Sequence, residues 1–307
     1  MEKGFIQILF LLCLITSELH SQEIKGQYCT SSVLGEGKWF KIAITENGVY
    51  RIDFAMLKKI GLANPSLPRL YGNNNGQLPY YNGIRESDDL REISIFLEKG
   101  NDGVFNEGDF MLFYGENTSR WIFDYNHGQY NFLKHNYSDT AFYFLTSGNS
   151  VGKIIQNTLN PEGTVNYFSS ESDALYNYEK EQVNLIKSGR EWFQPLSYAT
   201  EKEIDPMFEE IIAGEAVKFE IRVIARAPVP VDFSLLESES MIGTISVPAV
   251  NLSSNTGAYA QSATLSAESL PLSASPKYKI RFINKGDISA KGWLDYVRIQ
   301  GRKRNVF

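Results

Sequence analysis

A chain of 307 residues, 43% hydrophobic and 21% charged, has enough apolar surface for a core and the length of about two domains. Its formal net charge of −6 excludes a general nucleic-acid binder, which needs a basic face to neutralise phosphates. Aromatic residues make up 13%, many of them beside Val, Ile and Thr, which favours strands over helices.

The first segment, residues 1–21, reads as a secretory signal. Lys3 supplies the positive end, Phe5 to Ile15 the apolar stretch, and cleavage is expected after Ser21. That stretch is too short to cross a bilayer of ~30 Å as a helix. Cys13 would suggest a lipid anchor, but Phe10 and Leu12 stand where a lipobox has small residues. The mature chain is therefore expected to be exported, and Cys29 to be its only thiol, which excludes an internal disulfide.

Residues 22–160 are expected to form a β-rich N-terminal domain. "WFKIAIT" alternates as a strand, Asn47-Gly48 signals a hairpin turn, and "VYRID" is expected to return as its partner. Asp53 is placed to cap a short helix carrying Met56, Leu57 and Ile60, with Gly61 as the stop. Further strands are expected at "REISIFLE", "DFMLFYG", "RWIFDY" and "DTAFYFLTS". Residues 161–210 read as a partly helical connector. From 211 to 307 the period-two pattern returns in "VKFEIRVIAR", "VDFSLLES", "IGTISVPAV", "KYKIRFIN" and "GWLDYVRIQ", predicting a jelly-roll-like β-sandwich. The expected fold class is thus mainly β, as two antiparallel domains with one short helix.

Few residues are arranged for chemistry. HExxH, CxxC, GxSxG, GxGxxG and P-loop patterns are all missing from the sequence. Cys29 sits in an opening strand, far along the chain from His127 and His135, and reads as a half-buried structural residue. The two histidines lack a Cys or a carboxylate cluster nearby and read as turn residues. Asp88-Asp89 and Glu209-Glu210 are sequence neighbours whose side chains diverge, so each reads as solvated charge. The terminal Arg298, Arg302, Lys303 and Arg304 read as a solvated strand edge or linker. Trp39, Trp121, Trp192 and Trp293 could stack on sugar rings, but each lies in a stretch that also reads as packed core.

One loop is more specific. In "EKGNDGVFNEGDF", Glu98, Asp102, Asn106 and Asp109, with the Val104 carbonyl, have the oxygen spacing of half a calcium loop. An Asx-rich hairpin held by its own backbone explains the same letters, so structural calcium and a metal-free hairpin both stand. No cofactor is otherwise required.

"GKWFKIAITENGVYRIDFAMLKKIGL", "LYGNNNGQLP", "DGVFNEGDFMLFYGENTSRWIFDY", "YSDTAFYFLT", "EKEQVNLIKSGREWF" and "GWLDYVRIQ" occur in one order from Gly37 onward. Together they resemble the N-terminal region of the type IX secretion sortases, in the gingipain family of cysteine peptidases. The resemblance implies that the catalytic Cys and His lie in a peptidase domain downstream, that the chain stops before it, and that this region alone is inactive. It further implies three partners: the chain's own downstream peptidase domain, an outer-membrane β-barrel, and cargo proteins with C-terminal secretion signals. The expected location is the cell surface, after transit through the periplasm. The parent reaction is acyl transfer, in which a thiolate attacks the scissile carbonyl and an amine of surface lipopolysaccharide resolves the thioester. Scaffolding or docking is the role left to this region, and an inhibitory or chaperone role for the peptidase domain is a third reading. The alternative from another class is a free-standing exported adhesin or carbohydrate-binding module, which would account for the signal, the sandwich and the aromatics.

Overall fold

A computed structural model describes residues 29–73, 76–81, 84, 87–157, 163–164, 168–189, 191–196 and 201–305. The signal sequence with Cys13, Arg190 of the "SGREWF" block, and Phe307 lie outside the described residues.

The chain divides into two units that are not contiguous in sequence. One comprises Met1–Thr118 with Tyr137–Asn157, the other Ser119–Asn136 with Thr158–Phe307. The first contains strands β1 (Phe40–Ile44), β2 (Gly48–Asp53), β3 (Pro68–Gly72), β4 (Arg91–Ile93), β5 (Phe96–Glu98) and β6 (Phe110–Gly115). It also holds helix α1 (Phe54–Lys59) and, after the excursion to the other unit, strand β9 (Ala141–Ser147). One sheet runs β1-β9-β3-β4 and the other β2-β6-β5.

Two stretches that read as continuous in sequence are divided between these sheets. β1 pairs with β9 and β2 with β6, so the expected "WFKIAIT"–"VYRID" hairpin does not form. The turn is claimed by other partners: Asn47 Oδ1 accepts from the Asn117 amide at 2.6 Å, and the Tyr50 hydroxyl donates to the Glu46 carbonyl at 2.8 Å. Gly115, opposite Gly48, makes room for the Tyr50 ring, since a Cβ there would lie 2.7 Å from that ring. Tyr50 can then stack on Phe113 at 5.6 Å. "REISIFLE" likewise breaks at Ser94 into β4 and β5, with Ile95 fully buried at the corner and bridged to Ile154. Leu57, Leu70, Met111, Phe113 and Leu145 fill the core between the sheets. Asp53 does stand at the N-cap of α1, but its side chain makes no cap bond and instead accepts from Arg51 at 2.7 Å.

The second unit is built from β7 (Arg120–Asp124), β8 (Gln129–Leu133), β10 (Glu171–Glu179), β11 (Gln194–Leu196), β12 (Glu201–Ile204) and β13 (Val217–Arg226). β14 (Val231–Glu237), β15 (Ser240–Val247), β16 (Gln261–Ser269), β17 (Tyr278–Ile283) and β18 (Lys291–Arg304) complete it. One sheet is ordered β10-β18-β13-β16, with β11 also on β18, and the other β12-β17-β14-β15. That order over two sheets, with two Greek keys, is a jelly roll. Alternation dictates the packing: Val217, Phe219, Ile221 and Val223 from β13 meet Phe233, Leu235, Ile280 and Phe282 in one buried cluster. Residues 171–179, expected within a partly helical connector, form β10 along the edge of β18. Their Leu175, Tyr176 and Tyr178 sit half-buried, a pattern that pairing with β18 satisfies better than a helix would.

A bulge at Asp295 changes which way β18 points. Arg222 opposes Tyr296 and Val223 opposes Leu294, leaving Asp295 unopposed. The side chain of Trp293 is thereby turned into a separate buried cluster with Phe193 and Ile224. Arg222 donates to Asp295 at 2.6 Å and to Glu191 at 3.0 Å, so the bulged carboxylate is buried with a cation beside it.

Candidate docking groove and the residues singled out by sequence

The thiol is held in the wrong state for attack. Cys29 is exposed, and its Sγ lies 3.2 Å from Asp88 Oδ1. The hydrogen bond to Asp88, with the negative charge of Asp88 and Asp89, pushes the thiol pKa up, whereas a nucleophilic cysteine needs it lowered. Asp88 and Asp89 are not idle solvated charge. Asp88 also accepts from the Cys29 amide, and Asp89 accepts from Ser32 Oγ and the Val33 amide at 2.9 and 2.7 Å. Sequence alone gave no sign of this, because the pair lies more than fifty residues from the segment it fastens.

The two histidines are used locally. Asp124, at the turn of the β7–β8 hairpin, lies 2.7 Å from His127 Nδ1 and accepts from the Asn126 amide at 2.9 Å. The bond to His127 holds the Asp124 carboxyl below its ordinary range. The His135 amide donates to Ser119 Oγ at 3.0 Å. Among the described residues no group of three His, Cys, Asp or Glu side chains is arranged to hold a metal.

The loop from Glu98 to Asp109 links β5 to β6 and is held by its own bonds. Asp102 accepts from the Val104 amide and from Asn106 Nδ2, both at 2.9 Å, and Asp109 accepts from the Asn106 amide at 2.8 Å. These bonds depress the pKa of Asp102, the Val104 amide contributing most. Gly100, Gly103 and Gly108 all have positive φ, a conformation that penalises any side chain. The Glu98 backbone pairs opposite Phe110 at the end of β5, and Val104 is exposed. Next to Val104, Phe105 is buried edge-on against Phe54 at 5.3 Å, which fastens the loop to α1.

The tryptophans divide by position. Trp293 is buried, while Trp39 donates from Nε1 to the Glu36 carbonyl at 2.7 Å and packs edge-on to Tyr71. Trp121 meets Phe132 across the hairpin at 5.1 Å, and Trp192 is 38% exposed.

The concave feature that sequence reasoning missed lies in the first unit, where β1 and β2 fail to pair. A groove of about 610 Å3 opens there, lined by Phe40 and Ile42 from β1, Tyr50 and Ile52 from β2, and Met56 and Ile60 around α1. All but Met56 are half-buried side chains of the core rim, and Met56 is exposed. Lys41, Arg51 and Asp53 stand at its margin. The available signal was the alternation itself, since Phe40/Ile42 and Tyr50/Ile52 are apolar in both strands and were read as one hairpin face.

No protein-family model matches the chain, and no curated protein matches it. A solved structure does. The dimeric latent PorU from Porphyromonas gingivalis superposes on 89% of this chain with a TM-score of 0.69 at 20% identity. The chain spans 25% of that PorU chain's length. At that identity the likeness shows a shared fold and nothing of activity. The BuGH86 complex with neoagarooctaose (TM-score 0.26, 8% identity, 88% of this chain and 32% of that one) carries no argument about this fold. Neither does the Bacillus thuringiensis endotoxin Cry8Ea1 (TM-score 0.28, 9% identity, 76% of this chain and 41% of that one).

Proposed function

We infer that this chain is the non-catalytic scaffold and docking region of a PorU-like type IX secretion sortase. The observation that carries the reading is the superposition of nine-tenths of the chain on a quarter of PorU, two units included. The state of Cys29 agrees with it, because a thiol whose proton is held by Asp88 is a poor nucleophile. In this reading the parent removes C-terminal signals from exported cargo and joins the new terminus to surface lipopolysaccharide. The chemistry belongs to a peptidase domain that follows, and the two units described here position cargo, the outer-membrane barrel or the peptidase domain itself. The region works at the cell surface after export.

Two experiments test it. The purified whole chain, mixed with a reporter carrying a C-terminal type IX signal, is expected to leave that reporter intact. Thiol-dependent cleavage lost in Cys29→Ala would overturn the inactive assignment. Deleting residues 37–305 from the native gene is expected to leave cargo with its C-terminal signal uncleaved at the cell surface. Normal processing in that deletion would sink the docking role.

A further inference from the structure

The strands of the first unit trace a circuit that does not close. From β1 the sheet passes through β9 and β3 to β4, turns the corner at Ile95 into β5, and runs through β6 to β2. Among the described residues nothing pairs with the outer edge of β1 or of β2, although a short turn joins the two. The seam between them is the mouth of the apolar groove.

Register shows which backbone groups face the seam. The Phe54 amide donates to the Asp109 carbonyl, one step beyond the Asp53–Phe110 pair. Antiparallel pairs alternate between bonded and non-bonded, so Ile52, Tyr50 and Gly48 also direct their N–H and C=O groups at β6. Val49 and Arg51 therefore direct theirs outward, and both residues are exposed. On β9, the Gly148 amide donates to the Leu67 carbonyl, so by the same alternation Leu145, Tyr143 and Ala141 bond β1. Lys41 and Ala43 then face outward from β1. An unpaired edge beside a row of half-buried apolar side chains is a template for an added strand, with main-chain bonds supplying affinity and alternate side chains entering the groove.

Charge selects the occupant. Residues 38–60 carry five cations (Lys38, Lys41, Arg51, Lys58, Lys59) against two acids (Glu46, Asp53), within a chain of net charge −6; Arg51 is paired with Asp53 and Lys58 with Glu107, so the excess rests on Lys38, Lys41 and Lys59. A second copy of this seam would set Lys41 and Arg51 against like charges, which disfavours self-pairing. We propose that the β2 edge binds an extended peptide segment of another polypeptide, with apolar residues at alternate positions and carboxylates between them. Its backbone pairs with Val49 and Arg51, its apolar side chains lie over Tyr50, Ile52, Phe40 and Ile42, and its carboxylates meet Lys41 and share Arg51 with Asp53. β2 is assigned over β1 because it is the longer edge and because Val49, 67% exposed, adds apolar surface to it. The proposal stands on edge geometry and charge, and holds whether or not the PorU-like reading does.

The probe is a labelled hexapeptide of alternating valine and glutamate, titrated into the whole chain by fluorescence anisotropy. Saturable binding is expected, weakened at least about tenfold when lysine replaces glutamate and further by added salt. Alternate backbone N-methylation of the peptide is expected to abolish it. Val49→Pro is expected to remove binding while leaving β2–β6 pairing and the melting temperature in place, because that amide faces outward. Ala43→Pro, on the other edge, is expected to leave binding unchanged. No binding by the glutamate peptide, equal binding by the lysine peptide, or equal binding by the N-methylated peptide would each overturn the proposal. Loss with Ala43→Pro but not with Val49→Pro would overturn the assignment to β2. If Val49→Pro unfolds the chain, the peptide-side controls still decide.

Discussion

The two units solve one problem, covering the faces of antiparallel sheets, in opposite ways. The second uses long strands of up to fourteen residues in β18, and its two sheets enclose a continuous apolar cluster. The first uses strands of three to seven residues, broken at corners, and leaves a seam. Long strands hold their register through many cross-strand pairs, although both sheets of this unit also end on edge strands, at β10, β16, β12 and β15. The short, interrupted strands of the first unit add a half-buried apolar rim beside their edges. The comparison places the continuous core in the second unit and the open seam in the first.

The largest effect that could break this comparison comes from the jelly-roll core. Phe233 packs against Phe282 at 4.9 Å and is fully buried, so Phe233→Ala is expected to cost about 3–5 kcal/mol. Single-tryptophan versions retaining Trp293 or Trp39 separate the two reporters in denaturant melts. An equal loss in the Trp39 signal would show that the units do not unfold independently. In the same unit lies the bulge: Asp295→Ala removes the buried partner of Arg222 and leaves it paired with Glu191. A buried pair broken outright costs about 3–5 kcal/mol, and the part-exposure of Arg222 with its remaining bond to Glu191 reduces the expectation to about 1 kcal/mol. Failure to lower the midpoint of the Trp293 reporter would remove the bulge from the account of stability.

Gly72→Ala tests the first unit. An added Cβ would lie 2.8 Å from the Tyr143 ring, and Tyr143 is buried with its hydroxyl accepting from the Glu116 amide at 2.9 Å. Overpacking there is expected to cost about 1–3 kcal/mol, read from the Trp39 reporter. A neutral result would mean the small unit is looser than its buried core suggests.

Much of the jelly roll was legible because its strands alternate cleanly against two buried faces, as in Val217, Phe219, Ile221 and Val223. The split of β1 from β2 was not, since period two is the same whether a strand pairs with its sequence neighbour or with one far away. Nothing local in "KWFKIAITENGVYRID" says that Gly115 makes space for Tyr50, or that Asn117 takes the side chain of Asn47. The groove was hidden for the same reason, its lining having been read as a hairpin face. The connector over 161–210 was expected to be partly helical from the charges of its "SSESDALYNYEKEQ" stretch, whereas residues 171–179 within it pair with β18 as a strand. Asp173 accepts from Arg302 at 2.9 Å and from the Tyr130 hydroxyl at 2.7 Å, long-range partners that sequence spacing does not reveal.

A smaller effect concerns pH. Glu237 is buried, and burial pushes its carboxyl pKa up, although the Leu272 amide donates to it at 2.9 Å. A raised folded pKa means the native state binds the proton more tightly, so this residue's contribution falls as pH rises past its unfolded value and stays lost above the folded one. Glu237→Gln is expected to melt higher than the parent at neutral pH, with the gap closing below about pH 4. A gap that does not vary with pH would break the assignment. The smallest expected effect is calcium: the loop around Asp102 and Asp109 is held by its own amides, so millimolar calcium is expected to leave the melting temperature unchanged. A rise of several degrees would favour the metal reading of Glu98, Asp102, Val104, Asn106 and Asp109.

The route of the chain also decides how the molecule can be dissected. β7 and β8 arise in the middle of the first unit's sequence but belong to the second, where the Tyr130 amide donates to Gln300 Oε1 at 2.9 Å and Gln300 Nε2 donates back to the Tyr130 carbonyl at 2.7 Å. A scissor cut near residue 160 would orphan that ribbon on the wrong half. The ends of the excursion meet, since the Thr118 hydroxyl donates to the Ser138 carbonyl at 2.7 Å. A workable excision would therefore delete 119–136, suture the gap with a tight glycine turn, and carry the ribbon over as a separate piece.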